Sequence, residues 1–466
     1  MNFRTKQYLR KRFRDYYQFF HLTLPPDFNR REWGFILFDE LPEVVMRRHK
    51  AFSSEQELLE YIRGMVPAHV YCSSAYYQFP NASTMKEKQW QGADLIFDLD
   101  ADHLPQKPKS YAEMLYNVKN ETYKLLDFLL DDLGFSENSI GIVFSGGRGY
   151  HIHVRDPKVL SLGSKERREI IDYVSGRGLN TDILFRSREM VYDMGKFKKK
   201  IQESPIKIRS FDASDISGWG KRISRYLIHF LNEISRKDEN KALDEIINVI
   251  KAYHLKKAST YRIAQDVAEK IVQMKKQDRR IGLKKIANKI GVSSDAVRKV
   301  LIKHDLWDFR PEAMLKLKTI KEIAQNKTAI NMIKKGIIDF PDTTYIFEAI
   351  VYQAVQSNSV YLGMLHTDEP VTGDVKRLIR MPSSLHGGTG MKVVPLCLSE
   401  FEEFDPLDDA IVFSEKEIKI QVIPPLKPQN SIIEMKGKSF RVQEGINTLP
   451  EYVAIYLMCR GAAEYA

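Results

Sequence analysis

A chain of 466 residues is long enough for two or three domains with sizeable cores. Its 43% apolar and 29% charged residues place it among globular proteins, and no apolar run is long enough to span a membrane. Lys and Arg outnumber Asp and Glu by 72 to 61, a net charge of +11 that favours a polyanionic partner. The three cysteines, Cys72, Cys397 and Cys459, are far apart in the chain. They speak against a disulfide scaffold and a cysteine zinc site, and fit a reducing cytoplasm.

In chain order, "MNFRTKQYLRKRFRDYYQFF" is basic and aromatic like a transit peptide, but it is poor in serine and contains Asp15, so it reads as a docked basic helix. From about residue 30 to 155, "WGFILF", "HVYCSSAYYQF", "ADLIFDLDA", "IGIVFSGG" and "YHIHV" read as strands. Between them "SYAEMLYNVKNETYKLLDFLLDDLG" has helical periodicity and a stop at Gly134. From about 160 to 340 the pattern is helical and lysine-rich, after which "VYLGM", "KRLIRM", "KVVPLCL" and "IKIQVIPPL" return to strand character. The expected fold is α/β: a mixed-sheet catalytic module in two parts, 1–158 and 341–466, interrupted by a mainly α-helical inserted domain at 159–340.

Three clusters carry chemistry. In "GADLIFDLDADH" strand alternation puts Ala93, Leu95, Phe97, Leu99 and Ala101 on one face and Asp94, Ile96, Asp98, Asp100 and Asp102 on the other. Paired carboxylates on one face resist joint ionisation unless a cation sits between them, which favours a divalent-metal site over a solvated edge strand. In "SGGRGYHIHV", Ser145 opens a turn in which Gly146, Gly147 and Gly149 allow close backbone approach to a ligand and Arg148 suits phosphate. His151 and His153 share a face of the following strand, without a third ligand for zinc nearby. The segment "HTDEPVTGDVKRLIRMPSSLHGGTG" repeats these ingredients: acids Asp368, Glu369 and Asp374, cations Lys376, Arg377 and Arg380, then Ser383, Ser384 and His386 before a second glycine turn. Metal-binding acids beside two cationic glycine turns are what nucleotidyl transfer requires.

The ordered set "YCSSAYYQFP", "GADLIFDLDADH", "SGGRGYHIHV" and "RLIRMPSSLHGGTG" resembles the catalytic small subunit of archaeal and eukaryotic DNA primase, the archaeal branch above all. The resemblance implies a primase catalytic module that makes short RNA primers, with DNA also admitted, on single-stranded DNA from nucleoside triphosphates. It implies two magnesium or manganese ions held by Asp98, Asp100 and Asp368, with Asp374 the substitute for the third. Ser145, Arg148, His151, Arg380 and His386 would contact the nucleotide, and "MRRHKAF" offers Arg47 or Arg48 as a further basic contact. His153 matches no contact and reads as structural. The zinc knuckle that many family members carry after the acid strand has no cysteine here, so zinc is expected to be absent. A large primase subunit is the implied partner in a heterodimer. A repair or gap-filling polymerase of the same superfamily is the alternative within enzymes.

A different class of function, a non-catalytic helix-turn-helix DNA-binding protein, is suggested by "LKKIANKIGVSSDAVRKVLIKH" in the insert. Ile286, Ala287 and Ile290 share a helical face, Gly291 supplies a turn, Ser293 or Ser294 can cap a second helix, and Val297, Val300 and Leu301 continue the stripe. This is helix-turn-helix spacing, with Arg298, Lys299 and Lys303 outside the stripe. It fits either a DNA contact through Arg298 and Lys299 or a packed helical hairpin.

Overall fold

Edge strands supplied by distant parts of the chain organise the protein, seen here in a computed structural model. The structure describes residues 1–41, 43–103, 108–181, 188–194, 197–203, 218–336, 338, 340, 343–362, 372–425 and 431–466. The chain divides into two units: Met1–Arg177 together with Val360–Ala466, and Gly178–Ser359.

The first unit contains two four-stranded sheets. One runs Leu378–Arg380, Pro67–Ser73, Trp33–Leu37, Arg47–Lys50, and the other Val394–Leu396, Ile140–Phe144, Gly149–Val154, Leu95–Asp100. All their pairings are antiparallel. The C-terminal part of the chain thus adds one edge strand to each sheet, and residues 381–393 cross from one to the other.

Trp33–Leu37 is buried along its whole length, as a strand covered on both faces must be. Helix Phe3–Phe19 lays Leu9, Phe13 and Tyr17 into the core at four-residue spacing, and Asn2 caps it by accepting the Thr5 amide at 2.8 Å. Helix Tyr111–Asp127 starts at the cap Ser110 and buries Met114, Leu115, Val118 and Leu125. The last helix, Glu451–Cys459, is buried from Glu451 to Met458, which accounts for its apolar character all round.

Among the described residues the second unit is a helical assembly with a two-stranded ladder, Arg188–Met194 against Phe197–Glu203. That ladder is not expected from the sequence, although "REMVYDM" contains the strand formers Val191 and Tyr192. Helices Gly218–Arg236, Glu239–Ser259 and Thr344–Asn358 bury Leu227, Leu231, Ile246, Ile250, Phe347 and Ile350. Helices Gln265–Gln277, Leu283–Ile290 and Ser294–Lys303 pack around Ile271, Ile286, Val297 and Leu301.

The second unit is shifted along the chain from the 159–340 insert that periodicity assigns, beginning at Gly178 and ending at Ser359. Helix Ser164–Val174 belongs to the first unit, because Arg167, 1% exposed, sends its guanidinium to the carbonyls of Ala93 and Asp94 at 2.7 Å each. Helix Thr344–Asn358 belongs to the second, where the Tyr253 hydroxyl donates to Glu348 at 2.6 Å. Of "VYLGM", residues 360–362 are not strand and the rest lies outside the described residues.

Candidate active site

The acid strand is fixed before its acids are presented. Asp94, 1% exposed, pairs with Arg31 at 2.8 Å and accepts the Tyr76 hydroxyl at 2.6 Å, while Arg31 also donates to the carbonyls of Ser73 and Ser74. Asp94 is thus a buried structural partner, not a member of the exposed acid face. Beyond it Leu95, Ile96, Phe97 and Leu99 are buried, and Asp98 and Asp100 are half-exposed.

Asp98 lies directly across the ladder from His151, and Asp100 from Gly149. The His151 Nε2 stands 3.7 Å from Asp98 Oδ1. Burial lowers His151 to a pKa of about 4 against the opposing pull of Asp98, so the imidazole is neutral at pH 7. The Asp100 carboxyl is pushed up, chiefly by burial and further by Asp98 and Asp102, with Arg148 opposing. Arg148 reaches Asp100 at 3.4 Å and forks onto Asp102, with Nη1 to Oδ1 and Nη2 to Oδ2 both 2.8 Å. Asp102 has left the strand for a short 3-10 turn, which swings its carboxylate towards the guanidinium.

The two glycine turns pack on each other. Ser145 donates its amide to the Gly149 carbonyl at 2.9 Å and accepts the Gly147 amide on Oγ at 3.3 Å, closing the first turn. Gly146 has φ +73°, and a Cβ there would lie 2.7 Å from the His386 Cβ; one at Gly147 would lie 2.9 Å from His386 Nε2. Only glycine admits that approach. The Tyr111 and Thr389 hydroxyls donate to the carbonyls of Gly147 and Gly146, tying the turn to a helix and to the second turn. His386 Nδ1 accepts the Gly388 amide at 3.1 Å, so the neutral ring carries its proton on Nε2, beside Gly147. Burial, then Arg380, His69 and Arg148, hold His386 well below the usual histidine range.

Arg380 ends its short strand opposite Tyr71, with its guanidinium 5.1 Å from that ring. Its Nη1 donates to His69 Nδ1 at 2.6 Å, and Asp98 and Asp100 are near enough to favour its charge. His69 also accepts the Gly387 amide at 3.3 Å and meets the His386 ring edge-on at 5.1 Å. Burial and Arg380 keep His69 neutral, which leaves Nδ1 free to accept. His69, Tyr111 and Thr389 are missed by motif reading, which places Asp102 on the acid face but not as the partner of Arg148. For His69 a signal exists, since alternation puts it on the same strand face as Tyr71.

The remaining candidates separate. His153 is 3% exposed and faces Arg155 at 3.4 Å on the far side of Ile152 from His151. Arg48 holds Glu32 through two contacts of 3.1 and 3.2 Å, and Arg47 holds Glu40 at 2.7 Å. Burial alone would push Glu32 up, but Arg48, the His49 amide and Lys88 outweigh it and lower it. Asp374 accepts the Lys376 amide at 2.9 Å in a local turn, whereas Asp368 and Glu369 lie outside the described residues. In the second unit the helix-turn-helix geometry forms, with Gly291 at φ +81° and Ser293 capping through the Ala296 amide at 3.1 Å. Both basic side chains read there as DNA contacts are engaged: Arg298 with Glu312 at 3.0 Å and over Trp307, Lys299 with Asp295 at 2.7 Å.

Asp98 and Asp100 supply hard oxygen donors whose mutual repulsion a divalent cation would relieve, and in kind they fit magnesium or manganese. Among the described residues no cluster of three or more His, Cys, Asp and Glu forms a metal cage.

Comparison with known proteins agrees with this geometry. The family described as DNA primase small subunit matches residues 97–397, from the acid strand through both glycine turns. The DNA primase small subunit PriS of Methanococcoides burtonii is 44% identical over 465 residues, covering 100% of both chains. That of Methanosarcina acetivorans is 42% identical over 473 residues, covering 100% of this chain and 98% of its own, and that of Methanothrix thermoacetophila is 40% identical over 469 residues, covering 100% of both. With identity of this order along its full length and the family's motif strands converging on one site, the chain belongs to the DNA primase small subunit family.

Proposed function

We propose that the chain is the catalytic subunit of a DNA primase, a nucleotidyltransferase that makes short RNA primers on single-stranded DNA and also admits deoxynucleotides. The observation that carries this reading is the convergence of Asp98 and Asp100, on one strand, with two glycine turns in contact through His386 and Gly147. In the transfer, a 3′-hydroxyl oxygen bonds the α-phosphorus of a nucleoside triphosphate, the bond to the β-phosphate oxygen breaks, pyrophosphate leaves and the hydroxyl proton passes to water. Asp98 and Asp100, with Asp368 as the third acid, would hold two magnesium or manganese ions, whose chemistry is to activate the hydroxyl and neutralise charge on the phosphates.

The chain's own groups bind and orient the triphosphate. Arg148 and Arg380 offer permanently charged forks. His386 offers an Nε2 proton, its tautomer set by the Gly388 amide. His151 is a neutral imidazole beside Asp98, and Ser145 shapes the turn. Arg148 rests on Asp100 and Asp102, so cations on the aspartates would release it towards phosphate. The relatives are named small subunits, and a large subunit is the proposed partner here, improving initiation more than extension.

De novo dinucleotide synthesis tests the reading: purified chain, single-stranded template, nucleoside triphosphates and divalent metal, without primer. Dinucleotide from the wild type, alone or with the large subunit, and none from Asp98→Ala is expected. Extension of supplied primers with no de novo product under either condition would favour the repair-polymerase reading.

A further inference from the structure

The segment from Lys276 to Lys289 runs against the electrostatics of its own fold. Six cations, Lys276, Arg279, Arg280, Lys284, Lys285 and Lys289, stand against one acid, Asp278, in a chain whose total charge is +11. All six are exposed. Asp278 spends a carboxylate oxygen on the Arg280 amide at 2.9 Å, holding the turn. Among the described residues none of the six forms an ion pair, whereas Arg298 and Lys299 in the next helix both do.

Two local rules are broken together. Lys284 and Lys285 sit in the first turn of helix Leu283–Ile290, which has no acid there and no side-chain cap at Gly282. Cations at that end oppose the helix dipole. Lys285 and Lys289 then stack one turn apart, a repulsive pair with no acid between them. The scaffold under them is well packed: Ile281 pins the turn, and Ile286 and Ala287 bury the opposite helix face against Ile271, Val297 and Leu301. A firm face that concentrates uncompensated positive charge is stabilised when an anion binds it.

We propose that this face binds the sugar–phosphate backbone of single-stranded DNA. The contact runs through the 278–282 turn and the first helix of the helix-turn-helix, not through Arg298 and Lys299. Residues 276–289 expose no large hydrophobic side chain. A protein interface would call for apolar or aromatic anchors and a membrane surface for an apolar helix face, but phosphates need only the charges. The inference rests on the primase reading only for the identity of the natural strand. Binding is measured without catalysis, so the two can fail separately.

The test uses the full chain and a fluorescein-labelled mixed-sequence oligodeoxynucleotide, with affinity read by anisotropy over a salt series. Substituting Arg279, Arg280, Lys284 and Lys285 by alanine should weaken binding at low salt by tenfold or more. It should also flatten the dependence of log affinity on log salt by about 0.7 for each phosphate that the variant no longer neutralises. The side chains are exposed, so circular dichroism should be unchanged. Arg298→Ala with Lys299→Ala should leave the slope as in wild type. An unchanged slope in the fourfold variant, or the same flattening in the Arg298/Lys299 variant, would overturn the assignment.

Discussion

At Asp98 a single carboxylate separates two effects. Asp98→Ala should abolish nucleotide incorporation while leaving single-strand affinity within about twofold, since removing one member of a like-charged pair relieves repulsion without touching a basic surface. Retained incorporation would remove Asp98 from the metal site. His69 poses a subtler question, because its hydrogen bonds are with Arg380 and the Gly387 amide, both donating to one nitrogen. Losing a hydrogen bond to a charged group costs about 1.5–3 kcal/mol. His69→Ala should therefore lower kcat/KM for the nucleotide by roughly tenfold to a hundredfold, mainly through KM. His69→Asn, whose Oδ1 takes the place of Nδ1, should recover most of the loss. Equal defects in both variants would reduce His69 to a packing residue.

Among the elements, the pairing of the acid strand with Gly149–Val154 leaves no space for a side chain at Gly149. A Cβ there would fall 1.8 Å from the Leu99 carbonyl oxygen. Gly149→Ala should cost stability and activity together, by about 1–3 kcal/mol or more of overpacking. Gly64→Ala, within helix Glu55–Met65 and with nothing near its added carbon, should instead stabilise by about 0.5–1 kcal/mol. Thermal melts of the two variants, read with primer extension, decide it. The same strand pair shows how far sequence carries. Alternation and turn chemistry are local, so Asp98, Asp100 and the glycine turns were legible, as was the helix-turn-helix. Arg380 meeting His69 joins residues 311 apart, and Arg31 meeting Asp94 joins residues 63 apart, which no local pattern encodes. Helix Ser164–Val174 looks like its helical neighbours until Arg167 is seen in the Ala93 and Asp94 carbonyls. Arg298 looked solvent-facing because Glu312, its partner, comes from a later helix.

Over the whole molecule, buried and half-buried imidazoles set the response to acid. Burial first, then cationic neighbours, lowers His69 beside Arg380, His153 beside Arg155, and His386 beside Arg380, His69 and Arg148. His151 falls to about 4 despite Asp98, and in the second unit His254, beside Arg298 and Lys257, also falls to about 4. Each takes up a proton more readily unfolded than folded. Their contribution to stability is therefore complete above the unfolded value of about 6.5 and is lost as pH falls towards 4. For a fully buried ring such as His151 the loss is on the order of 3 kcal/mol at most. Asp100, raised mainly by burial, works the other way, since its carboxyl is easier to protonate in the folded chain. One such group does not offset five imidazoles. The urea midpoint should accordingly drop between pH 6.5 and 4.5, above the range where ordinary carboxylates titrate. His153→Phe keeps a ring in the buried site but removes its proton uptake, and distinguishes imidazole titration from general acid sensitivity. Relative to wild type the variant should gain stability steadily as pH falls through that window. A constant difference between the two proteins from pH 6.5 to 4.5 would show that His153 titrates alike in folded and unfolded chains and contributes nothing to the acid limb.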